Sequence, residues 1–165
     1  MKRLVTLSLL GVALASCQGE QRPSSAQTPS FYASMARADA TIDAVMARDM
    51  IGAYRRNNGL GPLALDPDLQ AAAQAEADAM AAADRPSSAD AFKERLASAG
   101  FATPAANLSA GYHTLAEAFS GWRESVPHNR VMLDPRAARI GIATAYAPKS
   151  KYKVYWALAV AGDKR

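Results

Sequence analysis

One cysteine, Cys17, stands in the 165 residues, so no disulfide can form within the chain and packing alone must hold its fold. No phosphate loop, dinucleotide fingerprint or metal-finger spacing occurs. We therefore expect no nucleotide cofactor. A Gly-x-Ser-x-Gly elbow is missing too, and no glycine-rich loop offers an oxyanion hole. Runs of five like charges are absent, which argues against a nucleic-acid partner. The N-terminal apolar stretch, Leu4–Ser16, falls short of the roughly 18–20 residues that span a bilayer. No repeat of about 20–50 residues is visible, which excludes solenoid arrays.

What is present starts at the N-terminus. Lys2 and Arg3 precede the uncharged Leu4–Ser16 stretch, and Leu14-Ala15-Ser16-Cys17 closes it. A basic start, an apolar middle and small residues before a cut site make a secretory signal. Leu-Ala-Ser-Cys resembles the bacterial lipobox, in which the peptidase cuts before a lipid-bearing Cys. Residues 1–16 then form the signal peptide, and Cys17 is the lipid attachment site. Lipidation removes a free thiol from an oxidising compartment, and several acyl chains hold a protein far better than one. The alternative is a plain signal peptide with an incidental Cys. Losing Lys2 and Arg3 lowers the formal net charge from +4 to +2, so the pI near 9.4 overstates how basic the mature protein is. Residues 17–32 read as a flexible tether, with Pro23, Ser24, Ser25, Pro29 and Ser30 and no large apolar side chain before Phe31.

Residues 33–162 read as one domain of four helical patterns and a closing hairpin. Ile42, Val45, Met46, Met50 and Tyr54 recur at helical spacing until Asn57-Asn58-Gly59. Asp66 is placed to cap a second helix with Pro67 at its first position. That helix is alanine-rich from Leu69 to Ala83, so another element can approach it closely. Ser87 with Asp90 is similar to a capping box for a third helix carrying Phe92 and Leu96. Thr114 with Glu117 makes a clearer box for a fourth, with Leu115, Ala118, Phe119 and Trp122 on one face. Ile140–Tyr146 and Tyr152–Val160 read as strands joined by a turn at Ala147–Lys151, and Asn107–Gly111 is a candidate third. Alternation puts Tyr152, Val154 and Trp156 on one side of their strand, with Lys153 and Tyr155 on the other. One side must be core. The other is either a binding face or a second covered face. The pattern as a whole is α+β.

The ordered motifs carry a resemblance. Tyr54-Arg55-Arg56-x-x-Gly59-Leu60-x-Pro62-Leu63-x-Leu65-Asp66-x-x-Leu69 is similar to the opening of bacterial CAP domains, also called SCP or PR-1-like domains. Ala106-Asn107-Leu108-Ser109-Ala110-Gly111 stands where that family usually has Gly-Glu-Asn-Ile-Ala-x-Gly, and Trp122–Leu133 resembles its Trp-x-x-Ser-x-x-His-Arg-x-Asn-Ile-Leu segment. The resemblance runs over roughly residues 42–160. It implies a three-layer α-β-α sandwich with a small antiparallel sheet between helices. It also implies a cleft that commonly holds two His and one or two acidic residues, which bind a divalent metal in some members. His128 matches the second His. Ser88, or Ser87 in a shifted register, stands at the first His position, Ala106 at a Glu position and Ser125 at a position that is Glu in animal members. One of four polar groups remains, and His113 is the only other imidazole. A zinc site needs three or four convergent ligands, so we expect no metal.

A Ser-His-Asp hydrolase assembled from Ser87 or Ser88, Asp84 or Asp90, and His128 is conceivable only on geometry, because no elbow supports it. Glu117 and Glu124, seven apart, are better read as a cap and a solvated carboxylate. The sequence therefore points to a lipid-anchored cell-envelope protein that binds or scaffolds without catalysis. Gln18 after the lipidated Cys favours the outer membrane, facing the periplasm, in a Gram-negative cell. The implied partners are the membrane, through Cys17, and an envelope ligand that is a protein, a lipid or a wall component. An envelope hydrolase using His128 on a wall polymer or peptide is the competing reading.

Overall fold

Asp43 starts the first long helix by accepting the Met46 N–H, one of the donors a helix start leaves unpaired. This helix, α1, spans Ala44–Asn57. The computed structural model describes residues 28–164, so the signal segment, Cys17 and most of the expected tether lie outside the described residues. The described chain begins with a 3-10 turn, Ser30–Tyr32, whose Ser30 hydroxyl donates to Asp43 and whose Phe31 packs on the core. The folded body thus takes in the last three residues assigned to the tether. Along α1, Ala47 and Ile51 are buried, while Val45 is 51% exposed. Val45 therefore lies off the apolar stripe its spacing suggested.

The other caps follow local chemistry. Asp66 accepts from the N–H groups of Asp68 and Leu69 and opens α2, Pro67–Ala83, with Pro67 at its start. Ser88, not Ser87, caps α3, Ala89–Ser98, by accepting the Ala91 N–H. Asp90 does not reach back to complete a box; it pairs with Lys93. Thr114 accepts from Glu117 N–H, and the Glu117 carboxylate accepts from His113 N–H, which opens α4, Leu115–Glu124. A fifth helix, α5, Val126–Met132, was not anticipated. Extended Ser125 separates it from α4, and Pro127 suits its first turn.

Four strands form one sheet in the order β1-β3-β4-β2: β1 Ala64–Leu65, β2 Ala105–Ala110, β3 Arg139–Tyr146 and β4 Val154–Ala161. β2, β4 and β3 run antiparallel. The two-residue β1 pairs parallel to β3, which makes the small sheet mixed at that edge. Side-chain alternation along the strands feeds two cores. Val154, Trp156, Leu158 and Val160 pack with Ile51 of α1, Trp122 of α4 and Met132 of α5. Tyr155, Ala157, Ala159 and Ala161 pack with Leu69, Ala73, Ala77 and Met80 of α2 and with Phe92 and Leu96 of α3. This is the three-layer α-β-α sandwich.

Every residue of β4 is buried, so neither face of that strand is open for binding. Tyr152 does not share a side with Val154 and Trp156. Lys153 adopts φ +64, which breaks the alternation, and Tyr152 stacks edge-on with Tyr155 on the α2 side. Arg55 of α1 is fully buried. Its guanidinium donates to the carbonyls of Gly61, Met132, Asp134 and Ala137, tying the α5–β3 connection to α1.

Candidate functional site

β2 is an edge strand, and its alternation decides where the expected cleft residues go. Ala106 and Leu108 project into the alanine-rich core under α2 and α3. Asn107 and Ser109 belong to the opposite side. Asn107 Nδ2 donates to the His128 carbonyl at 3.0 Å, and Ser109 Oγ accepts the Trp122 indole N–H at 3.1 Å. Helix α5 lies over this second side and carries His128 one turn after Ser125. Both residues are half-buried. Burial alone pushes the His128 imidazole below its ordinary pKa, so it is neutral at pH 7. His128 Nδ1 is buried and has no hydrogen-bond partner among the described residues.

The remaining positions are spent elsewhere. Ser88 is exposed, with its hydroxyl on the α3 cap. Ser87 and Ser88 line a small pocket with Ala83, Arg85 and Pro86, which does not include His128. Asp84 accepts the Tyr155 hydroxyl at 2.6 Å, and hydrogen bonds from Ser150 and Tyr155 hold its pKa below the ordinary carboxylate value. His113 is exposed, and its carbonyl accepts the Met35 N–H. Glu117 serves the α4 cap, as its spacing suggested. The structure thus brings Ser125 and His128 onto one helical turn. It puts Ala106 on the other face of the sheet and Ser88 at the start of α3.

The family model of the cysteine-rich secretory proteins, CAP, matches residues 48–160. The chain belongs to the CAP family. Among solved structures, this CAP domain is similar to a cysteine-rich secretory protein of Staphylococcus aureus, with 18% identity and a TM-score of 0.60. A Bacillus anthracis extracellular protein containing an SCP domain gives 19% and 0.60. Both alignments cover 72% of this chain, but only 38% and 40% of those chains. An outer surface protein of Borrelia burgdorferi gives 16% identity and 0.62, covering 76% of this chain and 98% of that one. No curated protein matches the chain.

The divalent metal of some CAP clefts does not fit the residues present here. Ala106 offers a methyl group, Ser88 Oγ is engaged in a cap, and Ser125 adds at most one weak hydroxyl ligand beside His128. Among the described residues, no three His, Cys, Asp or Glu side chains converge. A catalytic triad is not assembled either, because His128 receives no orienting carboxylate among the described residues.

Sequence reasoning missed a different feature of the CAP domain. A cavity of about 520 Å³ lies between the Arg37–Ile42 segment, helix α2 and the end of β3. Gln70 and Gln74 of α2 line it and bond to the β3 backbone. Two glutamines four apart on an otherwise alanine-rich helix were the available signal.

Proposed function

We propose that this CAP domain is a non-catalytic binding or scaffolding module, held in a bacterial cell envelope by lipid on Cys17. The observation that carries the non-catalytic reading is the state of His128. It is the one retained cleft imidazole, and it is neutral by burial with no carboxylate to orient it among the described residues. A general base needs its proton partner within hydrogen-bond reach and an orienting group behind it. The competing envelope hydrolase would have to work with His128 alone.

The anchor rests on Lys2, Arg3 and the Leu14–Cys17 run. An envelope location agrees with solved relatives described as extracellular or as an outer surface protein. Gln18 favours the outer membrane, facing the periplasm, in a Gram-negative cell. The ligand class is an envelope protein, lipid or wall component.

Two measurements test this reading. Cells fed a fatty-acid analogue should label the wild-type protein and not Cys17→Ala; equal labelling of both defeats the anchor. Titration of the purified protein with zinc near pH 7 should give no stoichiometric heat and no rise in melting temperature. A native-state ligand at a hundredfold excess over Kd would add about 2.7 kcal/mol. A sub-micromolar zinc site that disappears in His128→Ala would restore a metal-dependent function.

A further inference from the structure

The outer edge of β3 is only partly closed. In its antiparallel register with β4, alternate residues turn their N–H and C=O groups away from β4. Ile140, Ile142, Thr144 and Tyr146 are those residues, because Ile140 C=O accepts from Asp66 N–H on the far side. Strand β1 covers only Arg139 and Ile140. Two glutamines then take over. The Gln70 side-chain amide donates to Ile142 C=O at 2.7 Å and accepts Ile142 N–H at 3.1 Å, the two bonds a neighbouring strand would make. Gln74 donates to Thr144 C=O at 3.2 Å. There the cover stops. Thr144 N–H and both backbone groups of Tyr146 face outward without a partner among the described residues.

These groups border the cavity of about 520 Å³ described above. Its opposite wall is Arg37–Ile42, and α2 contributes Gln74, Asp78 and Ala81. We propose that this slot receives a short extended peptide segment with a basic residue, which adds to the edge of β3 as a strand. Backbone donors and acceptors at a sheet edge are a template for such addition. The Gln70 amide shows that the edge already accepts an amide in strand-like pairing. Arg37–Ile42 stands as the facing wall across the slot from β3, and the occupant we propose is a single extended chain rather than a second copy's sheet. Charge chooses the side chain. Asp78 is exposed, accepts only from Gln74 and has no cationic partner among the described residues. Arg37 on the other wall is already paired with Asp39. The slot is separate from the family cleft, and its role does not depend on the anchor.

The test uses the purified full-length protein and blocked hexapeptides of alternating threonine and valine with one lysine at each position in turn. Expected are saturable binding at about millimolar affinity or tighter and slowed hydrogen exchange at the Thr144 and Tyr146 amides. Methylating every second peptide nitrogen, on the pairing side only, should abolish binding. Thr144→Pro removes an outward donor without touching the β4 ladder, and should weaken binding by about tenfold or more. Asp78→Asn should weaken the lysine peptide by about threefold and leave its norleucine analogue unchanged. Absence of binding across the peptide set overturns the proposal. So does binding indifferent to N-methylation, a measurement on the wild-type protein that stands even if Thr144→Pro fails to fold. Protection of the two amides that instead follows protein concentration assigns the edge to a second copy and overturns it too.

Discussion

The two faces of the sheet are built from different materials. On the side of α1, α4 and α5, β4 presents Val154, Trp156, Leu158 and Val160, and Trp122 meets Trp156 edge-to-face at 6.1 Å between ring centres. On the side of α2 and α3 the same strand presents Tyr155, Ala157, Ala159 and Ala161, opposite Ala73 and Ala77. Bulky side chains keep the first helical layer away from the sheet. Alanines bring α2 onto it: a Cβ at Gly141 would sit 2.3 Å from the Leu69 carbonyl carbon. One layer is held by volume and the other by closeness. The difference also bears on the cleft, because Ala106 has joined the close-packed layer. A carboxylate at that place would need partners to offset its desolvation.

The largest predicted effect breaks the first face at its polar tie. Arg55→Met would remove a donor from four backbone carbonyls, of which only Asp134 C=O keeps another among the described residues, the Ala137 N–H. Burial lowers the Arg55 pKa while Asp134 opposes that shift, so the charge is kept by carbonyls and a nearby carboxylate. We expect a loss of at least about 4 kcal/mol in urea denaturation. A loss under about 1 kcal/mol would mean that water satisfies those carbonyls. Next comes Trp122→Ala, which opens a cavity in the same core and orphans Ser109. It should cost about 3–5 kcal/mol, and a cost below about 1 kcal/mol would show that the helical layer collapses onto the gap.

The second face should respond to addition rather than removal. Gly141→Ala adds one methyl where the α2 backbone already stands. The expected cost is about 1–3 kcal/mol, because the helix must lift from the sheet. A neutral result in chemical denaturation would disprove the close contact and erase the contrast between the faces.

The parts of the fold that rest on local chemistry were legible in the sequence. Asp66 and Thr114 cap helices because a side-chain oxygen near free N–H groups suffices. The alanine run of α2 announced a close approach for the same reason. Short or tertiary features were hidden. α5 has seven residues, too few for a helical period to emerge, and β1 has two. The side change of Tyr152 depends on Lys153 at positive φ, which residue type does not foretell. At the cleft, the expectation that Ala106 and Ser88 stand at ligand positions came from the resemblance alone, and their places on different elements could not be read from it. The open edge of β3 left only a faint mark, two glutamines four apart on α2, since Gln70 and Gln74 acquire their role only when α2 meets the sheet.

The smallest predicted effect sharpens the comparison through pH. His128, on the first face, has a folded pKa lowered by burial, while its unfolded value is about 6.5. The folded state therefore binds fewer protons. Stability from this group is complete above about pH 6.5, declines as the unfolded chain protonates and is fully lost once the pH falls through the folded pKa. Asp66, at the start of α2 on the second face, behaves differently. Burial raises its pKa, but the N–H groups of Leu69 and Asp68 and the Arg139 guanidinium outweigh it and leave the value lowered. Its contribution is present above about pH 3.9 and is lost only in more acidic solution. Urea midpoints between about pH 7 and 5 should thus slope downward in the wild type and flatten in His128→Gln, while Asp66→Asn should leave that slope alone. An unchanged slope in His128→Gln would mean that the imidazole is solvated in the folded protein, and the neutral, unassisted His128 on which the non-catalytic reading rests would have to be given up.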